Sequence, residues 1–174
     1  MPGSEEIVLL PHAGPLITLA YAGALDLLLK PRWRVALVDM VLHEVTRNET
    51  PTSRKIGAWV KRKKTLIIGT KIYRRHSRAL AVSVPRKSNL GELAIQEAMQ
   101  GFALATRAKT GVFLFEDHKI ARASFLLPDN CRKVSTRAFL IFLEEKGWIA
   151  SAAAVEREAI KSGRQFSLLR FPNP

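Results

Sequence analysis

The sequence predicts an α/β fold in which helices cover both faces of a central, mainly parallel sheet, giving a three-layer α/β/α sandwich. Three observations lead to this prediction. Short aliphatic runs recur along the chain, segments of helical length separate them, and Gly or Pro marks many of the boundaries. Strands that alternate with helices are joined by crossover connections, which make neighbouring strands parallel.

The first half of the chain supplies three strands and the helices between them. Pro15 suits the first turn of an apolar helix that is weakened at Gly23, and Asp39 can cap the helix after the second strand. The basic segment 71–85 is expected to contain a helix and a loop. The predicted strands are 7–10, 35–38 and 66–68, and the predicted helices are 16–29, 40–47 and 51–63.

The most informative stretch is 89–122. Asn89 can cap a helix that carries Glu92 in its first turn, where the helix dipole favours a carboxylate. One face of this helix is made mostly of small and apolar side chains, which allows close packing on a sheet. The members of that face are Leu90, Leu93, Ala94, Ala98, Gly101, Leu104, Ala105 and Ala108.

A fully apolar run, 112–115, follows that helix and predicts a strand buried on both faces. Glu116 and Asp117 come directly after it, at the end of the strand where open α/β sheets place their functional groups. Beyond them we predict a turn at 128–130, an edge strand at 132–134, a helix that Ser135 or Thr136 caps and Gly147 ends, and a last helix at 150–162.

Length and composition predict a single domain over residues 1–174, with a core at about 7–162 and a tail at 163–174. No apolar run is long enough to span a bilayer, so no membrane association is expected. The acidic N-terminus does not resemble a signal peptide, and the lone Cys131 indicates a reducing compartment. We therefore expect a cytoplasmic protein.

The charge distribution favours a polyanionic partner, most simply RNA. The chain has 28 Lys and Arg against 15 Asp and Glu, and no acidic residue lies between Glu49 and Glu92. A field of one sign attracts nucleic acid, although a solvated basic face would give the same pattern. The aromatic residues are too scattered to predict a base-stacking surface. The candidate RNA-binding residues are Arg54, Lys55, Lys61, Arg62, Lys63, Lys64, Arg74 and Arg75.

Three carboxylates, Glu44, Glu92 and Asp117, are candidate metal ligands because each lies near a helix start or a strand end. Hard divalent cations such as Mg²⁺ or Mn²⁺ prefer clustered oxygen ligands of this kind. Structural roles are equally available to each residue taken singly. Glu44 can pair with Arg47 or Arg34, Glu92 can stabilise its helix, and Asp117 can cap a helix that begins at His118.

Two further acidic residues are secondary candidates. Glu97 lies on the apolar face of its helix, where an ion pair with an arginine such as Arg122 is the expected use. Glu116 is expected to support Asp117.

Five segments together resemble the PIN-domain ribonucleases and, more closely, their VapC-like toxins. The resemblance covers nearly the whole chain, and its motifs occur in the order and strand–helix context of that family. The segments are PHAGPLITLA, VLHEV, NLGELAIQEA, VFLFEDHKIAR and STRAFLIFLEEKGWI.

This resemblance implies an endoribonuclease in which four acidic residues hold Mg²⁺ or Mn²⁺ at the carboxyl ends of the strands. Glu44, Glu92 and Asp117 match three of those positions, but His12 stands where an aspartate is expected. An imidazole is a poor ligand for Mg²⁺, so metal binding is expected to be weak or absent if His12 is native. Three explanations remain open: an inactive homologue, a softer metal, or a replacement that lets a toxic protein be produced.

The resemblance also implies partners. PIN toxins form homodimers, and a small antitoxin protein covers their acidic pocket. Two apolar segments, 16–29 and 166–171, carry more hydrophobic surface than one small core readily absorbs. We therefore expect a homodimer and an antitoxin that presents a basic side chain to the pocket. A catalytically silent module that binds RNA or protein is the alternative.

Overall fold

The computed structural model describes residues 5–82, 89–107, 109–116 and 127–164. In these residues five strands form one sheet in the order β3-β2-β1-β4-β5. Every adjacent pair is parallel, as the crossover pattern predicts. The strands are β1 Glu6–Pro11, β2 Arg34–Val38, β3 Leu66–Ile68, β4 Lys109–Phe115 and β5 Cys131–Ser135.

Helices cover both faces of the sheet, which confirms the predicted three-layer α/β/α architecture. Helix α1 packs against α3 and α7, whereas α5 lies over β2 and β4 and also contacts α2 and α4. None of the helices in the described ranges combines the length and apolar character needed to cross a bilayer. The helices are α1 Ala13–Tyr21, α2 Asp39–Thr46, α3 Pro51–Lys63, α4 Lys71–Leu80, α5 Leu90–Ala103, α6 Thr136–Glu145 and α7 Ala152–Lys161, with a 3₁₀ helix at Leu25–Leu29.

The core is centred on β1 and β4. Leu9, Leu10, Phe113 and Leu114 are fully buried, because side chains on both faces of a central parallel strand meet covering helices. Burial of each such side chain stabilises the fold by about 1.5–3 kcal/mol. The continuous apolar runs that predicted these strands therefore reflect burial on two faces.

The predicted helix 16–29 is wrong in its extent. Helix α1 ends at Tyr21, and the chain turns at Gly23, whose φ of +64° suits glycine, before the 3₁₀ helix begins. Leu16, Leu19 and Leu28 are completely buried. The apolar residues of this segment therefore belong to the core, and the exposed patch expected here is absent from the segment.

The predicted central helix begins directly after Asn89 as expected but differs in its cap and at its C-terminal end. Asn89 adopts the left-handed conformation, with φ of +65°, and its side chain makes no capping hydrogen bond. Helix α5 ends at Ala103, so Leu104, which was expected on the buried face, is 87% exposed. Ala94 and Ala98 do pack inward as predicted.

Because all five strands are parallel, their carboxyl ends lie together at one side of the sheet and their amino ends at the other. At the carboxyl edge, where the strands end, β1 leads to His12, β2 to Asp39, β3 to Thr70 and β4 to Glu116. At the opposite, amino edge lie the segments that enter the strands, including residues 30–33 before β2 and the basic end of α3 before β3. Side chains at the carboxyl edge are therefore separated from those at the amino edge by the length of the strands.

Candidate functional site

Two of the predicted site residues, His12 and Glu44, meet around Gly91 at the carboxyl edge. The amide of Gly91 donates a hydrogen bond to Glu44 Oε1 at 3.0 Å. A Cβ atom built on Gly91 would lie 2.5 Å from Glu44 Oε2 and 3.1 Å from His12 Nε2. Because only glycine lacks that atom, Gly91 allows the start of α5 to close directly over both side chains.

Glu44 is a half-buried carboxylate in the second turn of α2, the helix that follows β2. Burial raises the pKa of Glu44, while the Gly91 hydrogen bond and the positive charge of Arg47 oppose that rise. The amide comes from the first turn of α5, where unpaired N–H groups and the helix dipole favour an anion. A cation at this position would remove the remaining cost of the buried charge.

Glu92 follows Gly91 in the first turn of α5 and is half-buried. It therefore lies in the same helix start that closes over Glu44. Asp117, the third predicted ligand, lies outside the described residues, directly after Glu116. Within residues 5–82, 89–107, 109–116 and 127–164, no three His, Cys, Asp or Glu side chains form a group able to hold a metal ion.

His12 is fixed at the N-cap of α1 by its backbone and its ring. Its amide donates to the Leu114 carbonyl at 2.9 Å, which joins the end of β1 to β4. Its ring packs edge-on against Phe113, with centroids 6.0 Å apart. The side chain at position 12 is therefore directed to the carboxyl edge beside Glu44.

Glu116 is buried and has structural partners of its own. The Thr18 hydroxyl lies 2.9 and 2.8 Å from the two carboxylate oxygens and donates a shared hydrogen bond to them. The Arg164 guanidinium, just beyond α7, lies 3.4 Å from Oε2. A Cβ on Gly14 would come within 3.1 Å of the same side chain. Glu116 thus ties α1 and the end of α7 to the end of β4.

Among the described residues, Glu97 contacts the start of α4. Its carboxylate accepts hydrogen bonds from the amides of Lys71 at 2.7 Å and Ile72 at 3.2 Å, which caps the start of α4. Arg122, the predicted ion-pair partner, lies outside the described residues, so that pair stays a prediction. No sequence pattern indicates this contact, because Glu97 and Lys71 are far apart along the chain.

The structure also differs from the roles predicted for Arg34 and Asp39. Arg34, offered as a partner of Glu44, instead lies 3.1 Å from Glu6. Asp39 is the first residue of α2, and its carboxylate accepts hydrogen bonds from the amide and the hydroxyl of Thr70, at 2.8 and 2.7 Å. It therefore joins the ends of β2 and β3.

The predicted RNA-binding residues fall into two groups. Arg74 and Arg75 are exposed on α4, which begins at the carboxyl edge beside Thr70. The exposed residues Lys61, Arg62, Lys63 and Lys64 lie at the end of α3, at the amino edge. Arg54 and Lys55 occupy the earlier turns of α3, where Arg54 pairs with Glu49 at 3.1 Å. A single RNA-binding surface beside the acidic residues therefore does not include all eight.

An aromatic cluster at the amino edge was missed by sequence reasoning. Trp33 stacks on Phe142, with centroids 5.8 Å apart and an interplanar angle of 16°. Trp148 meets Phe142 edge-on at the same distance, and it is 40% exposed. Phe142 and Trp148 lie far from Trp33 along the chain, so no local sequence pattern could reveal the cluster.

Comparison with known proteins shows the fold. No protein-family model matches the chain, and no curated protein matches it. Among solved structures, the "Structure of T. brucei RRP44 PIN domain" is similar, with a TM-score of 0.50 and 16% sequence identity. The similarity covers 84% of this chain and 83% of that one. The five-stranded parallel sheet and its covering helices therefore form a PIN-like fold.

Proposed function

We propose that the protein is a metal-dependent endoribonuclease of the PIN type and the VapC-like toxin of a toxin–antitoxin pair. The observation that carries this proposal is the meeting of Glu44, Gly91 and position 12 at the carboxyl edge. The fold supports it, because ligands of open α/β sheets bind at this edge. The excess of basic residues supports RNA as the substrate.

The carboxylates fit Mg²⁺ or Mn²⁺, whereas His12 does not. Glu44 and Glu92 would hold the ion, with Asp117 as a third ligand, because hard divalent cations take carboxylate oxygens. The bound ion would supply an activated water and offset charge on the phosphodiester. The imidazole of His12 suits softer metals and adds no negative charge. Metal affinity in the present chain is therefore expected to be weak.

The protein's own groups prepare the site. The Gly91 amide fixes one oxygen of Glu44 and leaves the other, Oε2, beside His12. The start of α5 directs the positive end of its helix dipole toward Glu44 and Glu92, which favours negative charge there. Arg74 and Arg75, exposed on α4 at the same edge, would hold the RNA backbone by charge.

A catalytically silent PIN-fold module that binds RNA or protein is the second candidate function. His12 favours it, because the residue that departs from the family pattern is the one placed beside Glu44. A module that only binds RNA retains its basic surfaces and does not need a metal.

Cleavage of single-stranded RNA by four proteins tests the proposal. The chain with His12 is expected to cut weakly or not at all in Mn²⁺ or Mg²⁺, and His12→Asp is expected to cut and to bind either metal more tightly. Adding Glu44→Gln to His12→Asp should abolish cleavage, whereas adding Glu145→Gln, an exposed residue on α6, should not. Equal metal binding by calorimetry before and after His12→Asp, with no cleavage by either protein, would favour the silent module.

The antitoxin and the homodimer remain proposals that rest on the family resemblance. Segment 16–29 does not add support for a dimer, since its leucines and Ile17 are buried in the core or packed against it. Segment 166–171 lies outside the described residues. We propose that an antitoxin presents an arginine or lysine to Glu44, Glu92 and Asp117. Light scattering at micromolar concentration tests the dimer. A structure of the complex with the product of a neighbouring gene tests the covering of the pocket.

A further inference from the structure

A basic cleft lies at the amino edge, at the opposite ends of the strands from Glu44 and Glu92. It encloses about 700 Å³, and a second cleft of about 270 Å³ adjoins it at Asp26. We name the two together the amino-edge groove. Besides Asp26, its charged lining residues are all basic: Lys30, Arg32 and Lys63 in the larger cleft, Lys55 and Arg62 in the smaller.

The one acidic residue among those that line the groove is already engaged. Asp26 Oδ1 accepts a hydrogen bond from the Trp59 indole at 2.8 Å and lies 3.3 Å from Lys63 Nζ. Among the described residues, no carboxylate lies within ion-pair distance of Lys30 or Arg32. These two cations are therefore available to an anionic ligand.

An aromatic side chain lines the same groove. Trp148 is 40% exposed, and it packs against Phe142 of the Trp33–Phe142 stack. Arg32, which lines the same cleft, has a φ of +60°, a conformation that a non-glycine residue adopts at a cost. The turn holds the Arg32 backbone in place with a hydrogen bond from its amide to the Leu29 carbonyl at 3.0 Å.

We propose that the amino-edge groove binds single-stranded RNA, with one base stacked on Trp148 and the neighbouring phosphates on Lys30 and Arg32. Cations that follow a backbone beside an exposed aromatic ring are the combination by which proteins hold single strands without reading their sequence. The inference rests on the proposed function, which makes RNA the substrate, and adds a second contact remote from the acidic residues. It also gives a role to the basic end of α3, which lies at the opposite edge of the sheet from Glu44.

Binding is measured without cleavage by adding EDTA. The probe is a fluorescein-labelled oligouridylate, followed by anisotropy and by tryptophan fluorescence. The variants are Trp148→Ala, Trp148→Phe, and Lys30→Gln with Arg32→Gln. Arg157→Gln, an exposed cation on α7, is the matched control. Thermal melting checks that each variant is folded. If Trp148→Ala does not fold, the Trp148→Phe variant and the separate Lys30→Gln, Arg32→Gln variant decide the outcome.

Loss of the indole is expected to weaken binding roughly 5- to 150-fold, the range found when a base-stacking aromatic is truncated. Trp148→Phe should retain most of the affinity, and RNA should quench tryptophan fluorescence in the unmodified protein but much less in this variant. The double charge variant should reduce the steepness of the log-affinity against log-salt plot by about 1.4, for two phosphates of a single strand. Arg157→Gln should bind as the unmodified protein does.

Unchanged affinity and unchanged salt dependence in all groove variants would overturn the inference. The inference would also be overturned if polyglutamate displaced the labelled RNA equally well from the unmodified protein and from Trp148→Ala. The groove would then bind acidic peptides through charge alone. The proposed function fails separately. If His12→Asp cuts no RNA while Trp148→Ala still weakens binding, the groove stands and the nuclease does not.

Discussion

Replacing Gly91 by alanine tests the geometry on which the candidate site depends. The new Cβ would lie 2.5 Å from Glu44 Oε2, a separation that no real contact allows, and 3.1 Å from His12 Nε2. The carboxylate is the movable end of a flexible side chain, so we expect it to swing away. The hydrogen bond from residue 91 to Glu44, 3.0 Å in length, would then be lost.

Two opposing effects set the size of the change. Alanine stabilises a helix by about 1 kcal/mol relative to glycine. Loss of a hydrogen bond to a charged group destabilises the fold by roughly 1.5–3 kcal/mol. The free energy of unfolding should therefore fall by about 0.5–2 kcal/mol, which for a chain of this size lowers Tm by roughly 1–8 °C.

Gly101→Ala is the matched control, because Gly101 lies on the same helix and nothing lies within 4 Å of its added Cβ. Only the helix propensity changes there, so Tm should rise by about 2–4 °C. Urea unfolding of both variants measures the difference, and calorimetry with Mn²⁺ in the His12→Asp background shows whether Gly91→Ala also loses metal binding. If Gly91→Ala and Gly101→Ala are stabilised equally, and bind Mn²⁺ equally in the His12→Asp background, the close approach of Gly91 to Glu44 is refuted.

Three further predictions concern the carboxylates. Burial raises the pKa of Glu44, so the folded protein binds a proton on this carboxylate more tightly than the unfolded chain does. The charged carboxylate therefore destabilises the fold above the folded-state pKa, and this cost disappears as the pH falls through that pKa. Urea unfolding should find Glu44→Gln more stable than the unmodified protein at neutral pH, with no advantage in acid. Glu97→Ala should lower the free energy of unfolding by about 1–2 kcal/mol, because two amides at the start of α4 lose their acceptor, and an equal loss in exposed Glu145→Ala would contradict this. Thr18→Val should cost about 1–3 kcal/mol by leaving buried Glu116 short of a donor, whereas Thr18→Ser should retain most of the stability in thermal melts.

Most of the fold could be predicted from sequence because its determinants are local. The runs 7–10, 35–38 and 112–115 are continuous and apolar, as strands buried on two faces must be, and each lies within an observed strand. Ser135 caps α6 by accepting a hydrogen bond from the Ala138 amide, and Gly147 ends the following turn with φ of +69°, both as expected. The prediction of one helix over 16–29 was wrong because the mostly apolar pattern runs on past Gly23, and an isolated glycine in such a pattern does not show whether the helix ends there.

The candidate site was only partly predictable, because its contacts join residues distant in sequence. Glu44 and His12 were proposed as neighbours, and the structure places both beside Gly91. The role of Gly91 itself was missed, although a glycine directly before Glu92 at a helix start is a signal of close approach. The Glu116 contacts with Thr18 and Arg164 span 98 and 48 residues and leave no pattern in the chain.

The strand order has a consequence for how the protein is made. β1 lies at the centre of the sheet, between β2 and β4. Its pairing with β4 joins residues far apart in the sequence, such as Glu6 and Lys109. During synthesis β1 can pair with β2 early, yet its other side stays open until residue 115 has emerged from the ribosome. That open side presents Val8, Leu9 and Leu10 next to unpaired backbone groups, which is the usual starting point for aggregation. Truncated chains that end before β4 should therefore precipitate, and the carboxyl edge cannot assemble on a partly made chain.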